Sequence, residues 1–191
     1  MSDHKTHMRR EVEEIPEAAA RLLDGSGAAL EAAGRDIARR DPHFLVTVAR
    51  GSSDHVAAFM KYAVELTAGL AVASVGPSVA SIYGAKLRLA GSACLAVSQS
   101  GKSPDIVAMA ESAKASGALT IALTNTAGSP LATASDHAID ILAGPERSVA
   151  ATKTFVNSAV AALALMAHAT GNTGLLEALK ALPGQLEQAI G

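Results

Sequence analysis

The chain has 191 residues, of which 49% are hydrophobic, 18% charged and 3% aromatic. That length fits one domain with a core of its own and is too short for two ordinary domains and a linker. Sixteen Lys and Arg against eighteen Asp and Glu give a formal charge of −2, so no basic excess exists to neutralise phosphates and nucleic-acid binding is disfavoured as the main activity.

Before the first strand, the pattern predicts a tail and two helices. Residues 1–8 are polar, which predicts a disordered tail, and they contain no apolar signal region, so we expect no export. From residue 9 apolar residues recur at helical spacing, and Pro16 either kinks this helix or begins its main part. A Gly-Ser-Gly break separates it from a second helix over 28–40, so the N-terminal helices occupy 9–41.

Five short apolar runs follow, and helical patterns separate most of them. Runs without alternation are typical of strands covered on both faces, and strands alternating with helices imply right-handed crossovers and a parallel sheet. We therefore predict a three-layer α/β/α sandwich with a five-stranded parallel sheet within a core over 43–171. The predicted strands are 44–49, 70–75, 92–97, 119–123 and 138–142. A long helix over 149–170 and a last helix over 175–189 complete the chain.

Two further features bear on the class of protein. The single cysteine, Cys94, lies in the third predicted strand, so it excludes a disulfide framework and a cysteine-based zinc site and predicts a buried structural thiol. The most apolar stretch, 159–167, is about half of a membrane span and predicts a core helix. We expect a soluble, cytoplasmic domain that makes no membrane contact.

Small hydroxyl residues are concentrated in three loops at the predicted carboxyl edge of the sheet, where open parallel sheets bind ligands. These are the first loop, RGSSDH (50–55), the second loop, SQSGKSPD (98–105), and the third loop, GPERSVAATKT (144–154). In the second loop, Ser103 and Pro104 are typical of the start of a helix. The free N–H groups at this helix start, several hydroxyls and Gly101, which lets the backbone approach closely, together suit one phosphate monoester. Its spacing matches neither a P-loop nor a dinucleotide fingerprint, which disfavours ATP and NAD. For each serine separately, a helix cap or a tight turn is the alternative.

The three motifs and the N-terminal helix together resemble one family. ARGSSDHVA, SQSGKS and PERSVAATKTF occur in this order at the ends of the first, third and fifth predicted strands, as in the SIS (sugar isomerase) domain family. The opening REVEEIPEAAARLL is similar to the helix that begins isomerase modules of this family. More narrowly, the chain resembles the first of two SIS domains in the isomerase part of glucosamine-6-phosphate synthase and in aminosugar-phosphate deaminase/isomerases. The resemblance implies a single SIS domain over 9–191 with a flavodoxin-like sheet.

The resemblance also implies which residues hold a phosphorylated sugar. The hydroxyls and amide of the second loop would bind the phosphate, the first loop would add hydroxyls, and the third loop would contact the sugar. These residues are Ser52, Ser53, Ser98, Gln99, Ser100, Ser103, Val149, Thr152 and Lys153. Two positions depart from the synthase pattern: Lys102 replaces an acidic residue and Ala151 replaces a serine. The turn from Glu146 to Val149 is closer to the deaminase/isomerase branch.

Two residues are candidates for acid–base chemistry. Glu146, the only carboxylate of the third loop, could move a proton between sugar carbons 1 and 2, or it could simply complement the dipole of the helix beside it. His55 could assist ring opening as a neutral imidazole, or it could face solvent. Lys153 could balance the phosphate charge or pair with Glu146.

The resemblance implies an aldose–ketose isomerase, a deaminase or the isomerase half of an aminotransferase, acting on an aminosugar or hexose 6-phosphate without a metal or other cofactor. Such proteins have two SIS domains, and the second generally contains the catalytic carboxylate, histidine and lysine. We therefore expect either a fragment of a two-domain protein or a homodimer whose partner completes the site. The alternative is a regulatory domain that senses a sugar phosphate without turning it over. The sequence leaves the identity of the sugar phosphate open.

Overall fold

A computed structural model describes residues 5–191, and the predicted five-stranded parallel sheet is confirmed. The strands are β1 (Phe44–Val48), β2 (Ala71–Ser74), β3 (Ser92–Val97), β4 (Leu119–Thr124) and β5 (His137–Asp140). They lie in the order β2-β1-β3-β4-β5, and every pair of neighbours is parallel. From β1 the chain adds β2 at one edge of the sheet. It then returns to the other side of β1, where it adds β3, β4 and β5 in turn. The strand order therefore reverses between β1 and β3, which form the topological switch point.

Helices cover both faces of this sheet. Within the described residues they are α1 (His7–Glu13), α2 (Ile15–Gly25), α3 (Gly27–Arg40), α4 (Ser52–Ala68), α5 (Ser78–Ser81), α6 (Pro104–Ala115), α7 (Pro130–Ala134), α8 (Lys153–Thr170) and α9 (Thr173–Ile190). The α1, α2, α3, α4, α8 and α9 helices lie on one face of the sheet, and α5, α6 and α7 lie on the other.

Three helices precede the sheet, where the sequence predicts two. The predicted first helix is divided at Glu14, and Pro16 lies in the first turn of α2. Proline lacks the N–H that a continuous helix needs, and its ring would collide with the carbonyl of Val12 one turn earlier, so a new helix starts there. The α1 helix begins at His7, inside the tail predicted over 1–8; residues 1–4 of that tail lie outside the described residues.

The helix predicted over 149–170 begins four residues later, at Lys153, so that part of the prediction is wrong. Residues 145–152 have no regular structure. Backbone N–H groups of this segment donate to the carboxylates of Glu11 and Glu146 instead of helical carbonyls. Side-chain acceptors, Glu146 of the same segment and Glu11 of α1, therefore replace helical carbonyls in the residues before α8.

Separate apolar clusters fill the two faces of the sheet, as the unbroken apolar strands predict for β1, β3 and β4. The prediction is wrong for the edge strand β2, which exposes three of its four residues. Leu45 and Leu95 pack under α3, α4 and α8, whereas Val46 and Cys94 pack under α6. Burial of Cys94 raises the pKa of its thiol to about 12, because a thiolate would lose its hydration there. The predicted buried structural thiol is thereby confirmed.

The apolar stretch of α8 is buried in the larger cluster, as predicted. The α3 helix packs closely on it at Gly34, where an added Cβ would lie 2.5 Å from the Cβ of His168. Small side chains permit this close approach of two helix backbones. Across residues 5–191, no helix combines the length and the apolar character needed to cross a membrane.

A hydrogen bond between Asp36 of α3 and His137 of β5 ties the helical layer to the sheet. The two side chains meet at Oδ2 and Nε2, 2.9 Å apart. This contact, with the guanidinium of Arg39, holds the pKa of the Asp36 carboxyl below its ordinary value. The ionised carboxylate is therefore the form that stabilises the fold.

We expect Asp36→Asn to lower the free energy of unfolding by about 1–2 kcal/mol at neutral pH, because a hydrogen bond to a charged group is lost. The folded-state pKa lies below the unfolded value of about 3.9. The contribution of the Asp36 carboxylate to the free energy of unfolding is therefore fully present above the unfolded-state pKa. It disappears as the pH falls through the folded-state pKa. Urea unfolding of both proteins from neutral pH to about pH 2 measures this; a difference that stays constant in acid would contradict it.

Candidate functional site

The three hydroxyl-rich loops meet at the carboxyl edge of β1 and β3 and enclose a cavity of about 320 Å³. Helix α4 leaves β1 on one face of the sheet and α6 leaves β3 on the other, so a crevice opens between them. The lining residues are Arg50, Ser52, Ser53, Val97, Ser98, Gln99, Ser100, Ser103, Ile106, Glu146, Ser148, Val149, Ala151, Thr154 and Phe155.

The second loop is a tight turn held by its own hydroxyls. Ser98 Oγ accepts from Gly101 N at 3.2 Å, and Ser100 Oγ accepts from Lys102 N at 3.3 Å. A serine hydroxyl that accepts in this way still has its own proton to donate. Ser103 precedes α6 but makes no side-chain cap bond, so the alternative of a helix cap does not describe it. The bonds of Ser98 and Ser100 match the alternative of a tight turn, and all three serines line the cavity.

Gly101 makes this turn possible. It has φ +61°, a backbone conformation that favours glycine. A Cβ at this position would also overlap the Ser129 hydroxyl and lie 2.6 Å from Ser129 Cβ. Two independent constraints, conformation and space, therefore require glycine at this position.

The first loop brings the start of a second helix to the cavity. Ser52 and Ser53 line the cavity in the first turn of α4, after Gly51 with φ +58°. Arg50 Nη1 donates to Asp105 Oδ2 at 3.0 Å, which joins the start of α4 to the start of α6. The unsatisfied N–H groups of two helix N-termini are electropositive and favour an anion between them.

His55 is also in the first turn of α4, but it is exposed and does not line the cavity. Its position matches the alternative interpretation, a histidine that faces solvent, and offers no contact to a bound sugar in this conformation of the chain.

In the third loop, Glu146 lines the cavity and its carboxylate accepts four hydrogen bonds from its own loop. The donors are the backbone N–H and the hydroxyl of Thr152, at 3.1 and 2.9 Å, and the backbone N–H and the hydroxyl of Thr154, at 3.0 and 2.6 Å. Three of these bonds go to Oε2 and one goes to Oε1, so the carboxylate holds the residues that begin α8 and retains a lone pair on Oε1. This arrangement matches the alternative interpretation, in which the carboxylate complements a helix start.

Two predicted sugar contacts of the third loop lie behind the cavity wall. Thr152 is buried and does not line the cavity. Lys153 is 1% exposed and pairs with Glu14, not with Glu146, while its Nζ also donates to Pro145 O at 2.8 Å. Val149, in contrast, lines the cavity and is fully exposed.

Glu11 of α1 is a buried carboxylate beside the third loop that the sequence analysis did not single out. Burial would raise the pKa of its carboxyl, but donors from Ser148 and Arg147 and the charge of Lys153 more than offset this, so the pKa lies below its ordinary value. A signal exists in the sequence, because Glu11 falls four residues before Ile15, on the apolar stripe that Ile15 and Leu22 define.

Residues 40–168, which include all three loops, match the family described as SIS domain. Glutamine–fructose-6-phosphate aminotransferase (isomerizing) of Halobacterium salinarum is 37% identical over 76% of this chain, and that of Aquifex aeolicus is 31% identical over 97% of it. A crystal structure of a candidate phosphosugar isomerase from Silicibacter pomeroyi matches 97% of this chain with a TM-score of 0.95 and 59% identity.

The chain is shorter than these relatives. It spans 26% of the Halobacterium protein, 31% of the Aquifex protein and 57% of the Silicibacter chain. The relatives therefore contain further segments that could contribute to their activity.

We expect Gly101→Ala to destabilise the fold more than Gly69→Ala does, because a Cβ at Gly69, the left-handed residue that ends α4, would meet no atom within 4 Å. Both residues have positive φ, so alanine costs about 1–2 kcal/mol at each. Only Gly101 also lacks space for a Cβ, which adds about 1 kcal/mol or more of overpacking. Urea unfolding of the two variants makes the comparison, and equal losses would show that Ser129 moves aside freely.

Proposed function

Because the chain belongs to the SIS domain family, we propose that it binds a phosphorylated sugar in the cavity between β1 and β3. One observation supports this most directly: the second loop presents the hydroxyls of Ser98, Ser100 and Ser103 to the same cavity that two helix N-termini face. Hydroxyl and N–H donors bind a phosphate oxyanion through charge-assisted hydrogen bonds.

The charges of the cavity favour one phosphate monoester. Among the lining residues of the described chain, Arg50 is the single cation, and it is already paired with Asp105. Glu146 contributes a negative charge to the opposite wall. A polyphosphate would need several cations, whereas one phosphate is served by neutral donors.

We propose an aminosugar or hexose 6-phosphate as the ligand. The names of the Halobacterium and Aquifex relatives specify fructose 6-phosphate, and that of the Silicibacter chain specifies a phosphosugar. The cavity of about 320 Å³ has room for a six-carbon sugar beside the phosphate.

The proposed chemistry is ring opening followed by proton transfer between C2 and C1 through an enediol. A base must take the proton from C2 of the aldose and return it to C1, or take it from C1 of the ketose and return it to C2. It must therefore lie within hydrogen-bond reach of both carbons. Glu146 is the carboxylate at the cavity, but four donors from Thr152 and Thr154 bond to it and compete with a substrate proton for its lone pairs. We infer that acid–base groups come from a second SIS domain, supplied by a longer chain or by the partner in a homodimer.

An apolar stripe on α4 supports this association. Phe59, Tyr62 and Leu66 recur at helical spacing and are 45%, 68% and 84% exposed. Contiguous apolar side chains on a solvent-facing helix are typical of an interaction surface. Because α4 also begins at the first loop, a domain that packs on this stripe would lie near the cavity.

The occupied carboxylate also favours a second candidate function, a domain that senses a sugar phosphate without turning it over. In that case ligand binding in the cavity would change how a partner protein binds to the apolar stripe on α4. Binding and turnover measured on the same protein separate the two functions.

We expect calorimetry to detect glucose 6-phosphate binding and no glucose binding, because the hydroxyl donors act on the phosphate. Ser103→Ala should weaken binding about tenfold, since one hydrogen bond to a charged group is lost and no cap bond is disturbed. Lys102→Ala is the matched control, because Lys102 is exposed and does not line the cavity. Equal affinity for glucose and glucose 6-phosphate would refute phosphate recognition.

We expect the 191-residue chain as a monomer to turn over fructose 6-phosphate and glucosamine 6-phosphate at close to the uncatalysed rate. Tight binding of the phosphate in ground and transition states alike does not accelerate the chemical step. Product analysis after prolonged incubation tests this, with the oligomeric state checked by light scattering. Rapid turnover by a verified monomer, abolished in Glu146→Gln, would instead identify Glu146 as the base.

A further inference from the structure

The N-terminal helix α1 reaches the cavity wall through one buried carboxylate. Glu11 Oε1 accepts from Arg147 N at 2.5 Å and from Ser148 N at 3.3 Å, and Oε2 accepts from Ser148 N at 3.2 Å. Glu11 is only 5% exposed. It lies outside residues 40–168, the part of the chain that matches the SIS family.

The segment that Glu11 contacts has no regular secondary structure to maintain its shape. Residues 145–152 lie between β5 and α8, and Ser148, Val149 and Ala151 of this segment line the cavity. Backbone N–H groups that are shielded from water need acceptors, and here carboxylate oxygens replace carbonyls. Glu146 accepts the N–H of Thr152 from within the segment, but the N–H groups of Arg147 and Ser148 donate to Glu11, which lies outside it.

A second contact from the same helical region holds the other end of the segment. Glu14, between α1 and α2, pairs with the buried Lys153 at the start of α8. Glu11 and Glu14 thus hold the segment on both sides of Val149. The second loop, by contrast, has its own internal hydrogen bonds and makes none to Glu11.

We propose that Glu11 is a positioning residue that sets the sugar-binding wall of the cavity without contacting the ligand. The proposal rests on the proposed function, namely sugar-phosphate binding in this cavity. Glu11 would determine the fit of the sugar through Ser148 and Val149, while the second loop would bind the phosphate independently. Loss of Glu11 should therefore weaken binding of the sugar and leave binding of the phosphate group itself intact.

The test compares Glu11→Gln with Glu13→Gln in the full chain. Glutamine at position 11 replaces a carboxylate oxygen by an NH2 group, so a donor faces the N–H groups of Arg147 and Ser148. Glu13 on the same helix is the control, because it pairs with Lys5 and Arg9 away from the cavity. Affinities for inorganic phosphate and for glucosamine 6-phosphate are measured by calorimetry. We expect Glu11→Gln to lose about tenfold in affinity for glucosamine 6-phosphate, to keep its affinity for phosphate, and Glu13→Gln to change neither.

A ligand-free measurement accompanies the binding data. Hydrogen exchange should accelerate about tenfold at Arg147 and Ser148 in Glu11→Gln and stay unchanged at Gly101. Unchanged glucosamine 6-phosphate affinity, or an equal loss for both ligands, would overturn the proposal. If the wild type binds neither ligand, the proposed function fails instead, and the exchange rates at Arg147 and Ser148 still decide whether Glu11 holds the segment.

Discussion

A parallel sheet covered on both faces leaves few places for polar groups, and the ends of its strands are the main ones. In this chain the apolar strands β1 and β3 lie side by side, and the helices that follow them depart on opposite faces. The starts of α4 and α6 consequently face one another across a crevice, and their free N–H groups are available to an anion. The three hydroxyl-rich loops, the ion pair between Arg50 and Asp105, and the proposed phosphate site all depend on this topology.

The walls of the cavity are stabilised in two different ways. The second loop is held by hydrogen bonds within its own turn and by backbone bonds to β4 and α7, and Gly101 supplies the conformation that the turn requires. The third loop is held by Glu146 within it and also by Glu11 and Glu14 of the N-terminal helical region. The shape of the proposed sugar-binding wall therefore depends on the packing of α1 and α2, whereas the hydrogen bonds that hold the second loop involve neither of these helices.

This division bears on what the chain does alone. Hydroxyl and N–H groups that donate to a phosphate bind the ground state and the transition state of a reaction equally well. Such donors therefore favour formation of the complex but do not lower the barrier to proton transfer. The carboxylate that could transfer a proton, Glu146, is bound by Thr152 and Thr154. The exposed stripe on α4 and the greater length of the relatives support a second domain as the source of the remaining chemistry.

Local sequence signals determined the sheet, the loops and the family resemblance. Unbroken apolar runs predicted strands within a residue or two of their observed bounds, and Ser103 with Pro104 marked the start of α6. These features are predictable because each follows from neighbouring residues: burial on both faces disfavours polar side chains, proline fixes its own backbone, and glycine permits conformations that other residues avoid.

Tertiary structure alone decided the partner of Lys153 and the contacts of Glu11, and it contributed to the late start of α8. The N–H groups of Arg147 and Ser148 donate to a carboxylate that is 136 and 137 positions away in sequence, and Lys153 pairs across 139 positions. Helical periodicity records only neighbours three or four residues apart, so it predicted that α8 would begin four residues too early. A hydrogen bond that joins two distant segments depends on how their helices pack, and that packing exists only in the folded chain.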